Sequence, residues 1–299
     1  MTPAWLERPV LIGGTGRSGT TIAGQLLHHH PALALTTPAE LRFLTGNEGV
    51  VQTLAAQAAG GDAARAAPDR LARRLHGRFY RWSKPTGVDE GLHRTVDQAT
   101  LDAAVEEYLA RAETNPVEAA RGLVFAIVPS TLRRHQGSRW VDTTPSNVQY
   151  AQLLHELLPE ARFLHMMRDG RDVAVSFAGK KFGPDDPIEA LDMWGERMVG
   201  ASMQQSLVPD GIVLRVDLAD WAGAGGLASL HEICDFIEVG TDAGLDAWFS
   251  ANVTPASMHQ GRWRAELSRR KASTLDRRYE HWCAILTERF PQFPLPRSS

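Results

Sequence analysis

The sequence predicts an α/β fold whose central sheet is mostly parallel and carries helices on both faces. One observation behind this is the alternation of short apolar runs with helical stretches, from PVLIGG near the N-terminus to GIVLRV at 211–216. The other is that polar or Gly-rich stretches directly follow three apolar runs, namely GTGRSGTT, DTTPSN and RDGRDVAVS. Because parallel strands end at one edge of a sheet, ligand binding is expected at that edge.

The individual elements follow from apolar periodicity and from the positions of Gly and Pro. The first helix is expected over residues 20–30, where Pro31 ends it, and a second over 38–44 with Glu40 in its first turn. A further helix is expected to begin near Asp172, and the chain after the last strand is expected to be mostly helical. The predicted strands are PVLIGG, ALALTT, SRWVDTTP at 138–145, ARFLHMMR at 161–168 and GIVLRV.

Residues from about 47 to 137 form one long Ala- and Arg-rich stretch of helical periodicity, broken by GGD at 60–62, KPTG at 84–87 and TNP at 114–116. We interpret this stretch as a helical insertion over the sheet edge, within a single domain of residues 1–299. Its aromatic residues Phe79, Tyr80 and Trp82 are expected either in the core or beside a substrate.

Composition excludes several classes of protein. A net charge of -3 with 22% charged residues lacks the basic excess of nucleic-acid-binding proteins. The two cysteines, Cys234 and Cys283, are far apart and are expected to be reduced thiols, which fits the cytoplasm. The N-terminal stretch MTPAWLERPVLIGG does not resemble a secretory leader, and no run approaches the roughly 18 apolar residues of a membrane span. A homodimer is compatible with the sequence.

The stretch GGTGRSGTT nearly matches the nucleotide-binding loop G-x-x-x-x-G-K-[ST], but Thr20 occupies the lysine position. Its glycines allow a tight turn whose N–H groups, with the N-terminus of the following helix, bind a phosphate. The hydroxyls of Ser18, Thr20 and Thr21 add donors, and Arg17 supplies the positive charge. A metal-dependent P-loop kinase is one alternative, although such an enzyme normally needs the missing lysine.

The stretch FLHMMRDGRDVAVSF offers a second anion site. Arg168 ends the apolar strand, and Ser176 lies on the helix that returns toward the same sheet edge. The alternative for Arg168 is a surface ion pair with Asp169 or Asp172, and Arg171 is expected at the surface.

RSGTT after the first strand, followed later by RDGRD and Ser176, resembles the sulfotransferases that use 3'-phosphoadenosine 5'-phosphosulfate (PAPS). The resemblance covers about residues 9–45 and 138–220. It implies a P-loop-like sulfotransferase fold, PAPS as donor, the bisphosphate PAP as product, no metal, and a hydroxyl acceptor that is a small molecule or carbohydrate-like. The implied 3'-phosphate site is Arg168 and Ser176, and the implied 5'-phosphosulfate site is Gly16, Arg17, Ser18, Gly19, Thr20 and Thr21.

The resemblance also implies catalytic roles. Arg17 stands where the family places a cation against the bridging oxygen, and Glu40 is the expected general base, since its spacing to Arg42 resembles the tyrosine-modifying branch. The alternative for Glu40 is a carboxylate that only complements a helix dipole. The reserve bases are His76 and His93, while His28, His29 and His30 are expected to serve the end of the first helix.

The sequence departs from the family pattern in two places. RWVDTTPSN carries Thr143 where the family has a lysine that reaches the active site. Either Arg17 alone supplies the catalytic cation, or Lys180 or Lys181 takes the place of the missing lysine. Near the C-terminus, HQGRWRAEL resembles a G-x-W block but lacks the preceding basic triplet. Arg262 is the candidate substitute for the 3'-phosphate contact, and Trp263 either packs or stacks on adenine. A catalytically inactive anion-binding protein is therefore a further alternative.

Overall fold

The computed structural model describes residues 3–83, 87–132, 138–178, 180, 183–223 and 225–299. Five parallel strands form the central sheet in the order β2-β5-β1-β6-β7. A separate antiparallel pair, β3-β4, lies in the insertion. The strands are β1 Val10–Gly14, β2 Leu33–Leu35, β3 Trp82–Ser83, β4 Asp89–Glu90, β5 Arg139–Asp142, β6 Arg162–Met167 and β7 Val213–Asp217. The predicted fold class is confirmed.

Helices occupy most of the remaining described chain. The α-helices of the first half are α1 Ala4–Glu7, α2 Thr20–Leu27, α3 Arg42–Thr45, α4 Val50–Ala59, α5 Gly61–Arg74, α6 Gln98–Arg111 and α7 Pro116–Thr131. Those of the second half are α8 Ala151–Leu157, α9 Gly170–Phe177, α10 Pro187–Gln205, α11 Leu218–Trp221, α12 Gly226–Phe236, α13 Ala243–Asn252, α14 Pro255–Met258, α15 Arg262–Glu266 and α16 Arg269–Arg289. A π-helical turn spans Leu75–Phe79, and 3-10 helices span Leu92–Arg94 and Pro145–Tyr150.

The core divides along the two faces of the sheet. Successive residues of a strand point to opposite faces, so Leu11 and Phe163 pack with the insertion helices, whereas Ile12 and Leu164 pack with α2, α12 and α13. A third cluster joins α9, α10 and α16 around the buried Trp194. All five residues of β1 are buried, as expected for a parallel strand covered on both faces.

In its described residues the insertion is mostly helical, as predicted, and it also contains the short β3-β4 pair. Gly60, at φ +77°, separates α4 from α5 within GGD, and TNP separates α6 from α7. Of KPTG, residues 84–86 lie outside the described residues. No helix within the described ranges is both long and apolar enough to cross a membrane.

Two helix predictions were wrong in their bounds. The helix α2 ends at Leu27 rather than at residue 30. The helix expected over 38–44 is only the four-residue α3, and Glu40 precedes it in irregular chain. The reason is that residues 39–41 hydrogen-bond to the end of β5 instead of to their own helix, as described below.

Candidate active site

The Gly-rich loop joins β1 to α2 through a run of left-handed backbone. Gly16, Arg17 and Gly19 have φ values of +81°, +56° and +99°. Space also demands glycine, because a Cβ at Gly19 would lie 2.8 Å from Leu218 Cδ1 and one at Gly14 would overlap Ser18 Oγ. Arg17 accepts a backbone conformation that costs a non-glycine residue on the order of 1 kcal/mol. The turn is therefore sterically determined, and it places the N-terminus of α2 at the end of β1.

The groups on this turn suit a phosphate. Gly19, at the N-cap of α2, supplies no capping side chain, so the first N–H groups of that helix have no such acceptor. Ser18 Oγ is buried and has no hydrogen-bond partner among the described residues. Thr20 is buried at the start of α2, where its side chain stands in place of the P-loop lysine. A bound anion would satisfy these donors.

The two sequence motifs meet at Arg17. Its Nε donates to Ser176 Oγ at 3.0 Å, and Arg168 Nη1 donates to the Arg17 carbonyl at 3.2 Å. Burial lowers the pKa of Arg168; Asp172 opposes this, and the neighbouring charges of Arg262 and Arg17 lower it further. Three guanidinium groups thus concentrate positive charge beside the loop.

Arg168 does not form the surface ion pair that was the alternative. Its Nη2 donates to the carbonyls of Met258 and His259, at 3.2 and 2.8 Å, and its buried Nε has no partner among the described residues. Asp172 accepts from the N–H groups of Gly261 and Trp263, at 2.8 and 3.3 Å. The start of α9 therefore holds residues 258–263 beside the loop.

Those contacts show where the residues singled out in the C-terminal block lie. Two positions of the missing basic triplet, Met258 and His259, contribute backbone carbonyls, and Arg262 lies near Arg168. Arg262 itself pairs with Glu266 at 2.7 Å. Trp263 is buried between the guanidinium groups of Arg171 and Arg264, at 4.5 and 4.4 Å from its ring centre, so it packs in the core.

The expectation that Arg171 lies at the surface was wrong. Its side chain is 6% exposed, pairs with Asp169 at 2.6 Å and with Asp276, and lies over the ring of Tyr279. Although burial opposes its charge, the bonds to Asp169 raise the pKa of Arg171. The motif RDGRD thus contributes to folding, because this buried arginine joins α9 to α16.

Glu40 lies in irregular chain between β2 and α3. Arg42 Nε and Nη2 both donate to Glu40 Oε2, at 3.1 and 3.0 Å, and the Arg42 guanidinium lies 4.7 Å from the centre of the Trp82 ring. The side chain of Glu40 is 34% exposed, which leaves its carboxylate open to an approaching molecule. Glu40 therefore lies next to the insertion, because its partner Arg42 packs on Trp82 of β3.

The stretch DTTPSN fixes this part of the chain. The carboxylate of Asp142, which is fully buried, accepts from Leu41 N–H at 2.6 Å and from Asn147 Nδ2 at 2.6 Å. Thr143 donates to the Ala39 carbonyl through both its N–H and its hydroxyl, each at 2.9 Å. Residues on either side of Glu40 are therefore anchored to the end of β5.

Thr143 itself packs against α2. It is buried, and its methyl group occupies the space that a Cβ at Gly24 would need. Of the proposed replacements for a lysine here, Lys180 is exposed and Lys181 lies outside the described residues.

The histidines have partners of their own. His76 Nδ1 lies 3.4 Å from Asp102, and His93 Nδ1 lies 3.0 Å from the carbonyl of Tyr80. At the end of α2, His28 and His30 accept hydrogen bonds from the N–H groups of Leu35 and Ala32, and His29 stacks on Trp248. His28 and His30 thus hold the turn from α2 into β2, whereas His29 packs against α13.

We expect Asp142→Ala to lower the free energy of unfolding by about 1–3 kcal/mol for each donor left unpaired. These donors are the buried Leu41 N–H and one N–H of the Asn147 amide, whose other N–H stays bonded to the Ile12 carbonyl. Burial raises the pKa of Asp142 to about 6, so its contribution to stability is full at low pH and falls as the pH rises through 6. Urea unfolding of both proteins at pH 5 and pH 7.5 should therefore show the larger difference at pH 5. A larger difference at pH 7.5 would contradict the pKa direction.

No sequence motif singles out one further residue at the loop, Arg197 of α10. Its Nη1 donates to the Thr15 carbonyl at 2.6 Å. The signal available in the sequence is faint: an arginine three positions after Trp194, next to the buried, apolar stripe of a helix.

The chain is similar to known sulfotransferases in sequence and in fold. The model of the sulfotransferase family matches residues 9–243. The chain resembles the sulfotransferase domain of the Synechococcus PCC 7002 olefin synthase, with 19% identity, a TM-score of 0.53, and 97% of this chain and 96% of that one covered. It also resembles the sulfotransferase domain of the curacin biosynthetic pathway, with 15% identity, a TM-score of 0.57 and coverage of 96% and 98%.

A third solved structure, sulfotransferase STF9 from Mycobacterium avium, has 14% identity, a TM-score of 0.50 and coverage of 98% of this chain and 79% of that one. No curated protein matches the chain significantly. These structural likenesses agree in fold, and the family model covers most of the chain, so this protein belongs to the sulfotransferase family.

Proposed function

We propose that this protein transfers a sulfuryl group from PAPS to a hydroxyl of a small-molecule or carbohydrate-like acceptor. The observation that carries the proposal is the contact of Arg17 Nε with Ser176 Oγ at 3.0 Å, since it joins the phosphate loop to the second anion site. Two separate anion sites suit a nucleotide with phosphates at its 3' and 5' positions better than a triphosphate chain.

The residues at each site fit such a donor. The left-handed turn of Gly16–Gly19 and the hydroxyls of Ser18, Thr20 and Thr21 would bind the 5'-phosphosulfate, and the unpaired Ser18 Oγ supports this assignment. Arg168 and Ser176 would bind the 3'-phosphate, with Arg262 adding charge from residues that Asp172 holds in place.

The chemistry assigned to the chain's own groups is simple. PAPS supplies the sulfuryl group and a phosphate that is already a good leaving group. Glu40 takes the proton of the acceptor hydroxyl while the oxygen of that hydroxyl bonds to sulfur. The S–O bond to the bridging oxygen breaks, and this oxygen keeps the electron pair as PAP leaves. Arg17 stabilises the negative charge that develops on the bridging oxygen. The one-third-exposed side chain of Glu40 and its anchored neighbours support the role of base.

The insertion at 47–137 is proposed to cover the acceptor within a single domain of residues 1–299. Support comes from the contact of Arg42 with Trp82, which brings the β3 strand of the insertion beside Glu40. Tyr80 and Trp82 are half-buried there, whereas Phe79 is buried in the core.

We expect Arg168→Ala to weaken PAP binding by about 1–3 kcal/mol, the range of a charge-assisted hydrogen bond. Calorimetric titration with PAP measures this loss directly. The matched control is Arg111→Ala on α6, whose exposed side chain pairs only with Glu107 among the described residues and should leave PAP affinity unchanged. Equal PAP affinity in Arg168→Ala and wild type would remove Arg168 from the 3'-phosphate site.

The proposed reaction is tested by the release of PAP from PAPS in the presence of phenols, sugars and aliphatic hydroxyl compounds. Acceptor-dependent PAP release, with sulfated product seen by mass spectrometry, would support sulfuryl transfer. Tight PAP binding with no turnover on any acceptor class would favour the inactive anion-binding alternative.

A further inference from the structure

Arg197 is a cation at the phosphate loop that the proposed function does not use. Besides its 2.6 Å bond to the Thr15 carbonyl, its Nη1 lies 3.3 Å from where a Cβ of Gly16 would be. The ring of Phe177, which follows Ser176 on α9, lies at the same distance from that point. The guanidinium of Arg197 therefore rests against the backbone of the turn that opens the loop.

The charge of Arg197 is poorly compensated by the protein. Burial lowers its pKa, and Glu196, the acid that opposes this effect, is its exposed neighbour on α10. Within the described part of the chain, Arg197 makes no ion pair, whereas the buried Arg171 pairs with two carboxylates. A guanidinium has five N–H donors, and the bond to Thr15 uses one of them. Donors and charge remain for an anion.

Position 143 lacks the cation that the family pattern implies. Thr143 carries no charge, and its side chain is bonded to Ala39 and packed on Gly24 of α2. Arg197 approaches the loop from α10, through Thr15 and Gly16. We propose that Arg197 is the second cation of the donor site, contacting the 5'-phosphosulfate in place of a lysine at position 143. This inference rests on the proposed function.

The test compares two ligands that differ only at the 5' position, PAP and adenosine 3'-phosphate, by calorimetric titration. We expect Arg197→Gln, which keeps a donor for the Thr15 carbonyl but removes the charge, to weaken PAP binding about 10- to 100-fold. Its affinity for adenosine 3'-phosphate should stay within about twofold of wild type. Arg197→Lys should recover part of the PAP affinity, and Arg111→Gln is the matched surface control.

Two results would overturn the inference. One is unchanged PAP affinity in Arg197→Gln. The other is an equal loss for both ligands, which would make Arg197 a support of the loop rather than a ligand contact. If Arg197→Gln fails to fold, Arg197→Lys decides by the same criterion, a loss confined to PAP. A wild-type protein that binds neither adenosine compound would overturn the proposed function itself, before any variant is compared.

Discussion

Glu40→Gln should lower kcat about 10²- to 10⁴-fold, the range for loss of a general acid or base, while PAP affinity stays at the wild-type value. The amide keeps the shape of the side chain but cannot take the acceptor proton. Stability should change little, because the pair lost with Arg42 is at the surface, where each side chain is at least one-third exposed. Steady-state turnover and a PAP titration on the same preparation measure both effects.

The matched control for Glu40→Gln is Glu107→Gln, which removes another surface carboxylate that pairs with an arginine, Arg111. It should turn over at the wild-type rate. Wild-type turnover in Glu40→Gln would instead move the base to His93 or His76, and His93→Ala and His76→Ala would then be compared.

Arg17→Ala should lower kcat about 10²- to 10³-fold, the usual cost of removing one donor to a developing negative charge. Alanine keeps the Cβ, so the strain of the left-handed backbone at φ +56° is unchanged and the effect reports the guanidinium alone. Since Arg17 also bonds to Ser176, PAP affinity should fall to a lesser degree than kcat.

Arg17→Lys is the comparison that separates charge from geometry. It should keep more activity than Arg17→Ala, because it restores the cation without the planar donor that reaches Ser176. A kcat within threefold of wild type in Arg17→Ala would contradict its role at the leaving oxygen.

Local patterns were enough to predict the sheet and the turn that follows β1. Apolar runs mark all five parallel strands, and the glycines at positions 16 and 19 mark a turn that the backbone indeed makes with positive φ. Arg17, Arg168 and Ser176 come together because parallel strands end at one edge, as the sequence order implied.

What local patterns could not predict depends on distant partners. The path of residues 39–41 is determined by Asp142, about a hundred positions away, which takes the Leu41 N–H that a helix would have used. The local sequence predicts Arg171 as a surface charge, because its partner Asp276 lies 105 positions later, on α16. The position of Arg197 at the loop could not be predicted for the same reason, since the Thr15 carbonyl that it binds lies 182 positions earlier.

The most direct test of the account is a thermal-shift and calorimetric comparison of PAP with ATP plus magnesium on the wild-type protein. PAP at a hundredfold excess over its Kd should stabilise the fold by about 2.7 kcal/mol, and it should bind more tightly than ATP with magnesium. This preference is expected because Thr20 replaces the P-loop lysine, while Arg168 and Ser176 are proposed to form a second anion site beside the loop. Tighter binding of ATP with magnesium would contradict the proposed donor and favour a metal-dependent kinase.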